Sequence, residues 1–266
     1  MFAYAESNRH WRDVGPRIIR NNLAWLRSWG CDVKNDDAQF IVVRSEERSD
    51  YNAIFEVRPA TSVFELLRAV DINFSSPSVQ PTVLLGTGPE YGALIAALEE
   101  REFQPVSMNA THWSPPGRRV PDGAVVFVPV SEGEIREWSA IYSTAFEGDP
   151  RLEYARWSRR IPTEGEVGFF FLRSGATTIG TVQLCVTAGT MGIYSFGILP
   201  GFRGRQYALS TMMAAEREAM NRKVDVFYYE RMKPFRGASL GHGVVRPGLV
   251  EVRNTRTLMG FRRLAR

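Results

Sequence analysis

The segment Gly192–Ala208 carries the strongest chemical signal in this 266-residue chain. An apolar, β-prone run ends at Leu199-Pro200, a loop rich in glycine and arginine follows, and good helix-forming residues then begin. A strand, a loop and a helix in this order leave unpaired backbone N–H groups at the start of the helix, where the helix dipole also favours negative charge. The spacing therefore predicts a binding site for a pyrophosphate group, with Arg203 and Arg205 beside it.

The core of this segment resembles the acyl-CoA-binding motif of the GNAT acyltransferase superfamily. That motif reads Gln/Arg-x-x-Gly-x-Gly/Ala after an apolar strand ending in proline, and the matching residues here are Arg203-Gly204-Arg205-Gln206-Tyr207-Ala208. Gln206 stands where the family usually has a glycine that lets the backbone approach the phosphates. The resemblance implies acetyl-CoA or another acyl-CoA as cosubstrate, bound by Ile198, Leu199, Arg203, Gly204, Arg205, Gln206, Tyr207 and Ala208.

Hydrophobic periodicity predicts the elements that position this loop. After a break rich in proline and glycine at 113–123, the patterns read strand, helix, three strands, helix and strand, followed by irregular glycine-rich chain to Phe261. This order is that of the GNAT core. The predicted strands are 125–130, 167–173, 178–186, 192–199 and 225–231, and the predicted helices are 133–146 and 205–222.

The first half of the sequence predicts a second, smaller set of helices and strands. Helical patterns lie at 14–28, 63–71 and 91–102, and strand-like runs at 40–44, 52–57 and 82–85. Several of these segments resemble the N-terminal half of a two-part GNAT subgroup, in which a degenerate unit without cofactor precedes the working domain. The predicted fold class is α/β (α+β by some schemes), a mixed twisted sheet flanked by helices in two GNAT-like halves. The degenerate half would span residues 1–120 and the acyl-CoA-binding catalytic domain residues 121–266.

Acyl transfer from a thioester needs few protein groups. The acceptor amine must lose a proton, the thioester carbonyl needs an N–H donor, and the leaving thiolate can take up a proton. The resemblance implies a backbone N–H donor within 196–199. Many members of the family carry a tyrosine acid four residues before a Gly-Phe pair, but here Arg256 precedes Gly260-Phe261, and an alternative alignment places Ser239 there. The candidates for proton transfer are Tyr194, Tyr229, Glu230 and His242, with Tyr228 beside them.

Composition narrows the class of protein. The net charge is +4, and the basic residues are almost all arginines interspersed with acidic ones, a pattern that disfavours nucleic-acid binding. His10, His112 and His242 share no ligand spacing, so no metal is predicted. Cys31 and Cys185 lie far apart and indicate reduced, buried thiols. The N-terminus lacks a signal-peptide pattern, and no apolar run reaches the roughly 18 residues of a membrane span, which predicts a cytoplasmic protein without membrane contact.

The sequence thus predicts a cytoplasmic N-acyltransferase, monomeric or homodimeric, that moves an acetyl or other short acyl group from CoA to an amine of a small molecule. The acceptor would enter opposite the cofactor, along Glu147, Asp149 and Tyr194. Two alternatives stay open. A GNAT-type transferase with an aminoacyl-tRNA donor would tolerate Gln206, because no CoA pyrophosphate has to fit. A catalytically silent GNAT-like binding protein would account for Gln206 and for the missing tyrosine acid.

Overall fold

The computed structural model describes residues 2–36, 39–45, 51–75, 81–116, 124–146, 167–204, 206–234 and 254–263. The chain divides into two compact units. The large unit is built mainly from Met1–Ser28 and Thr111–Arg231, and the small unit mainly from Trp29–Ala110 and Thr257–Arg266. Both units are discontinuous in sequence, because the first helix is grouped with the second half of the chain and the segment Thr257–Arg266 is grouped with the first.

The described residues form five α-helices and eleven strands. The helices are α1 (Phe2–Ser28), α2 (Val63–Asn73), α3 (Gly92–Glu100), α4 (Ile135–Phe146) and α5 (Tyr207–Asn221). The strands are β1 (Asp32–Asp36), β2 (Phe40–Arg44), β3 (Ala53–Phe55), β4 (Thr82–Gly86), β5 (Phe103–Ser114), β6 (Val126–Pro129), β7 (Val167–Ser174), β8 (Thr177–Thr187), β9 (Thr190–Ile198), β10 (Val226–Pro234) and β11 (Asn254–Arg263). The predicted order of strands and helices from β6 to β10 is confirmed. Among these helices, none has the length and apolar character that a membrane crossing requires.

The strands of the small unit follow the order β1-β2-β3-β4-β11-β5. Strands β3 and β4 are parallel, whereas β1 with β2, β2 with β3, and β4 with β11 are antiparallel. One apolar cluster fills this unit and combines side chains of the sheet with side chains of α2 and α3. Its fully buried members include Ile54, Leu66, Val83, Leu98 and Phe261.

The prediction of irregular chain up to Phe261 is wrong for residues 254–261, which belong to β11. Strand β11 pairs with β4 from Leu258 opposite Gly86 to Arg262 opposite Thr82, and Phe261 is buried in the core of the small unit. The sequence before this strand is rich in glycine and did not indicate a strand. The strand pairs with β4, which is distant in sequence. Strands β1 and β5 were also missed, since their sequences alternate weakly between apolar and polar residues.

The strands of the large unit follow the order β10-β9-β8-β7-β6. Strands β9 and β10 are parallel, and the other neighbouring pairs are antiparallel. Helix α5 packs a stripe of small and flexible side chains on one face of the sheet, with Met212, Ala215 and Ala219 in one core cluster with Leu184 and Ile193.

The opposite face of this sheet carries α1 and α4. Successive strand residues point to opposite faces, so Cys185 and Tyr194 face away from α5. Asn21 of α1 contacts both of these residues. Trp138 of α4 packs edge-on against Phe169 of β7, with ring centroids 5.0 Å apart. The sheet of the large unit is therefore covered on both faces.

Candidate active site

Strand β9 loses its β10 partner halfway along its length. The parallel ladder runs from Thr190 opposite Val226 to Ile193 opposite Tyr229, while β9 itself continues to Ile198 beside β8. On the β8 side the register shifts between Thr181 and Gln183, and Ser195 has a positive φ of 47°. These features define a β-bulge, which bends the strand and frees backbone groups from the ladder.

Beyond the end of the β9–β10 ladder, one backbone donor of β9 points away from β8. The N–H of Leu199 donates to the carbonyl oxygen of Ile179 on β8 at 2.9 Å. Because successive residues of a strand direct their backbone groups to opposite sides, the N–H of Ile198 points away from β8. Of the predicted region 196–199, Leu199 is therefore engaged with β8, whereas Ile198 faces the gap that follows the β9–β10 ladder.

Two residues near the end of the loop after β9 have a positive φ angle. A 3-10 turn spans Pro200–Phe202, Gly204 has a φ of 80°, and Gln206 has φ 60° and ψ 6° just before α5. The first hydrogen bond of α5 that reaches back to the loop runs from the N–H of Ser210 to the carbonyl oxygen of Gln206. The N–H groups of 207–209 thus have no acceptor within the helix, and they lie at its positive end. This terminus has the geometry of an anion site.

The left-handed conformation at Gln206 explains why a glycine suits this position. A residue with a Cβ atom adopts positive φ only at a steric cost, whereas glycine does so freely. Gln206 is exposed, and its side chain makes no capping hydrogen bond to the helix. The glutamine therefore preserves the backbone path of the loop and adds local strain.

The side chain of Arg203 holds the loop in place. Its Nε donates to the carbonyl oxygen of Ile198 at 3.1 Å, and its Nη2 donates to the carbonyl oxygen of Ala145 at 2.7 Å. Ala145 lies in the last turn of α4, where carbonyl groups have no intrahelical donor. One guanidinium thus joins the end of β9 to the end of α4, and its remaining N–H groups are available to an anion.

A buried polar cluster joins α1 to β9 and β10. The Oδ1 atom of Asn21 lies 3.1 Å from the hydroxyl of Tyr194 and 2.8 Å from that of Tyr228, and the two hydroxyls contact each other. The Nδ2 atom of Asn21 donates to the carbonyl oxygens of Cys185 and Thr190. Burial raises the pKa of both tyrosines well above its usual range, and the negative charge of Glu230 raises it further. Both phenols are therefore neutral hydrogen-bonding groups at physiological pH.

The other predicted catalytic residues of β10 lie at the point where the ladder ends. Tyr229 is the last paired residue, and its ring lies 5.0 Å from that of His112. Glu230 follows it, is exposed, and accepts a hydrogen bond of 3.0 Å from Nδ2 of Asn22. The ring of Trp25 stacks on Tyr194, with centroids 4.3 Å apart. The fold thus brings Tyr194, Tyr229 and Glu230 to one stretch of β9 and β10.

Some predicted residues lie outside the described part of the chain. These are Glu147, Asp149, Arg205, Ser239 and His242. Within the described part, no group of three or more His, Cys, Asp or Glu side chains could hold a metal ion.

Sequence reasoning missed the contribution of α1. Asn21, Asn22 and Trp25 all reach β8, β9 or β10 from a helix more than 150 residues away in sequence. A signal was present, because Asn21 lies on the same helix face as the buried residues Val14 and Ile18. A polar residue at such a position predicts a buried hydrogen-bonded partner, although it does not identify that partner.

Solved structures with a similar fold include GCN5-related N-acetyltransferases. The GCN5-related N-acetyltransferase of Sphaerobacter thermophilus has a TM-score of 0.59 at 15% identity, over 87% of this chain and 75% of that one. A GCN5-related N-acetyltransferase of Kribbella flavida has a TM-score of 0.58 at 17% identity, and the match covers 92% of this chain and 95% of that one. A protein of unknown function from Staphylococcus epidermidis has a TM-score of 0.59 at 12% identity, and the match covers 88% of this chain and 94% of that one.

These likenesses show the fold. The chain has the mixed α/β architecture of the GNAT fold, with a largely antiparallel twisted sheet flanked by helices. No protein-family model matches the sequence, and neither does any curated protein.

Proposed function

We propose that this protein is an acyl-CoA-dependent N-acyltransferase that transfers an acetyl or other short acyl group to the amine of a small molecule. The observation that carries the proposal is the succession of the bulge at Ser195, the positive φ angles at Gly204 and Gln206, and the N-terminus of α5. Along this segment the backbone offers a donor for a carbonyl oxygen and, a few residues later, several donors for a pyrophosphate. The GNAT fold of the solved neighbours supports the same reaction class.

In this proposal the cofactor lies along the end of β9. The pyrophosphate would accept hydrogen bonds from the backbone of Gly204, Arg205, Gln206, Tyr207 and Ala208, with the free N–H groups of Arg203 nearby. The pantetheine arm would follow Ile198 and Leu199 into the gap after the β9–β10 ladder. The N–H of Ile198 would then donate to the thioester carbonyl oxygen as it gains negative charge.

The chemistry is attack of a neutral amine on the thioester carbonyl carbon. The new C–N bond forms as the C–S bond breaks, and the amine loses a proton. CoA leaves as a thiolate. Because the pKa of a thiol is about 8.5, this thiolate is a tolerable leaving group. Glu230 is the proposed base, because it is exposed and follows the last paired residue of β10. Tyr194, Tyr229 and His242 are the further proposed groups for proton transfer.

The proposal includes a cellular setting and an organisation. Cys31 and Cys185 are both buried and form no disulfide, which supports a reducing compartment such as the cytoplasm. The small unit would be the degenerate counterpart of the large unit, as in the two-part GNAT subgroup. The catalytic acyl-CoA site would belong to the large unit.

Release of free thiol from acetyl-CoA in the presence of a panel of primary amines tests the reaction. The proposal expects amine-dependent release that saturates in both substrates. Acetyl-CoA binding without release would instead favour the silent binding protein. Lack of acetyl-CoA binding together with transfer from an aminoacyl-tRNA would favour the tRNA-dependent alternative.

A further inference from the structure

The side chain of Gln183 is held in a fixed orientation at the bulge. Gln183 has no exposed surface, and its Oε1 accepts hydrogen bonds from Nε1 of Trp25 at 3.1 Å and from Oγ of Ser195 at 2.5 Å. An indole N–H can only donate, so the amide oxygen must lie on the side of Trp25. The amide nitrogen is therefore directed elsewhere.

That nitrogen is a buried donor group without an acceptor. In the part of the chain that the structure describes, Nε2 of Gln183 makes no hydrogen bond. The hydroxyls of Thr181, two residues earlier on the same face of β8, and of Ser143 on α4 are buried and equally without partner. Buried polar groups in proteins are nearly always paired with protein, water or ligand. Among the described residues, these three side chains, called the polar seam, therefore have hydrogen-bonding groups without a partner.

The polar seam lies on the face opposite the cofactor loop helix. Helix α5 covers the other face of the sheet, whereas α1 and α4 cover this one. Ser195 and Trp25, which orient Gln183, are half-buried, so this cluster extends toward the surface of the large unit. Ser195 also has the positive φ of 47°, an uncommon conformation for a residue with a side chain and one often associated with functional sites.

We propose that Gln183, oriented by Trp25 and Ser195, recognises an uncharged oxygen of the acceptor molecule. The acceptor class is a primary amine that also carries an uncharged hydroxyl or carbonyl oxygen. The members of the polar seam are uncharged, so a carboxylate there would lack a counter-ion, whereas a neutral oxygen would accept the amide N–H. This inference rests on the proposed function and assigns Gln183 to acceptor selection.

Two probes of equal size test the assignment with the full-length protein. 2-Aminoethanol and n-propylamine differ by one hydroxyl in place of a methyl group, and kcat/KM for each is measured with acetyl-CoA at equal concentrations of free base. The unmodified protein should favour 2-aminoethanol by about tenfold, as expected for one recognised hydrogen bond. Gln183→Met should bring the ratio of the two kcat/KM values close to one, mainly by raising KM for 2-aminoethanol, with KM for acetyl-CoA unchanged.

A matched control is Ser139→Ala, which removes a buried hydroxyl that is already bonded to the carbonyl oxygen of Ile135. This control should leave the ratio unchanged. If Gln183→Met does not fold, Trp25→Phe keeps an aromatic ring on Tyr194 but removes the N–H that orients Gln183, and the ratio should again fall. In ¹⁵N spectra of the unmodified protein with CoA bound, the side-chain amide signals of Gln183 should shift on addition of 2-aminoethanol and not of n-propylamine.

If both amines react and Gln183→Met leaves the ratio of their kcat/KM values unchanged, the assignment of Gln183 is wrong. The proposed function would remain intact. Absence of thiol release with any amine would contradict the proposed function itself. Absence of the amide shift at saturating 2-aminoethanol would overturn the assignment independently of turnover.

Discussion

The guanidinium of Arg203 lies 2.7 Å from the carbonyl oxygen of Ala145 and 3.1 Å from that of Ile198. This contact joins the proposed cofactor loop to α4 at the place where α4 has carbonyl groups to satisfy. The loop is thereby held close to the end of β9 before any ligand binds. A loop fixed in this way loses little conformational entropy on binding a pyrophosphate.

Arg203→Met removes these two hydrogen bonds and keeps most of the apolar stem. We expect the free energy of unfolding to fall by about 1 kcal/mol, because the contact is partly exposed, and acetyl-CoA affinity to fall by about tenfold. Chemical denaturation and calorimetry measure the two effects. Arg222→Met is the matched control, since Arg222 makes only an exposed bond to Glu218, and its effect should stay below about 0.5 kcal/mol with unchanged affinity. Equal effects of the two substitutions would contradict the assigned role.

Gln206→Gly relieves the left-handed strain before α5. The free energy of unfolding should rise by up to about 1 kcal/mol, and acetyl-CoA should bind at least as tightly. Lys223→Gly is the control, because Lys223 also has a positive φ, of 54°, at the other end of α5. It should stabilise the protein similarly without affecting acetyl-CoA affinity. A clear loss of affinity in Gln206→Gly would mean that the glutamine side chain itself contacts the cofactor.

The elements of the site differed in how well the sequence predicted them. Strand β9, the loop and α5 are local in sequence, so an apolar run, a loop rich in glycine and arginine, and a run of good helix-forming residues predicted all three. The positive φ of Gln206 was not predicted, because the usual glycine of the motif was interpreted only as allowing a close approach to the phosphates. The bulge at Ser195 was not predicted, because it depends on the register between β8 and β9.

The contacts of α1 could not be predicted from local patterns. Asn21 is polar in an amphipathic helix, and only the folded chain shows that it bonds Tyr194, Tyr228 and the backbone of β8 and β9. Strand β11 was missed for a related reason, since its pairing partner β4 is far away in sequence. Both errors reflect long-range contacts that override local propensity.

Asn21→Ala should strongly destabilise the large unit. The substitution removes the shared partner of two buried phenols and a donor to the carbonyl oxygens of Cys185 and Thr190, which we expect to lower the free energy of unfolding by about 2–4 kcal/mol. Asn73→Ala is the control on α2, where the side chain bonds only the carbonyl oxygen of Ala69, and it should cost less than about 1 kcal/mol. For the same reason a fragment of residues 124–266, which lacks α1, should melt without a cooperative transition. A sharply melting fragment that binds acetyl-CoA would refute this role of α1.

No single side chain should dominate catalysis. Tyr194→Phe, Tyr229→Phe, Glu230→Gln and His242→Ala should each lower kcat by no more than about a hundredfold, because positioning and the backbone donor supply most of the rate. The rate should rise with pH through one apparent pKa, that of the amine or its base. It should show no alkaline fall from Tyr194, since burial raises the pKa of this phenol and keeps it protonated. A thousandfold loss in one variant, with fold and acetyl-CoA affinity unchanged, would contradict this distributed mechanism.

Calorimetric titration with acetyl-CoA tests the central claim, that the amides at the start of α5 bind the pyrophosphate of an acyl-CoA. The unmodified protein should bind one acetyl-CoA, and Ala208→Asp should abolish binding without loss of fold, because its carboxylate would face the pyrophosphate. Ala140→Asp introduces the same charge on the exposed surface of α4 and should bind normally. No affinity in the unmodified protein, or equal affinity in all three, would contradict the claim.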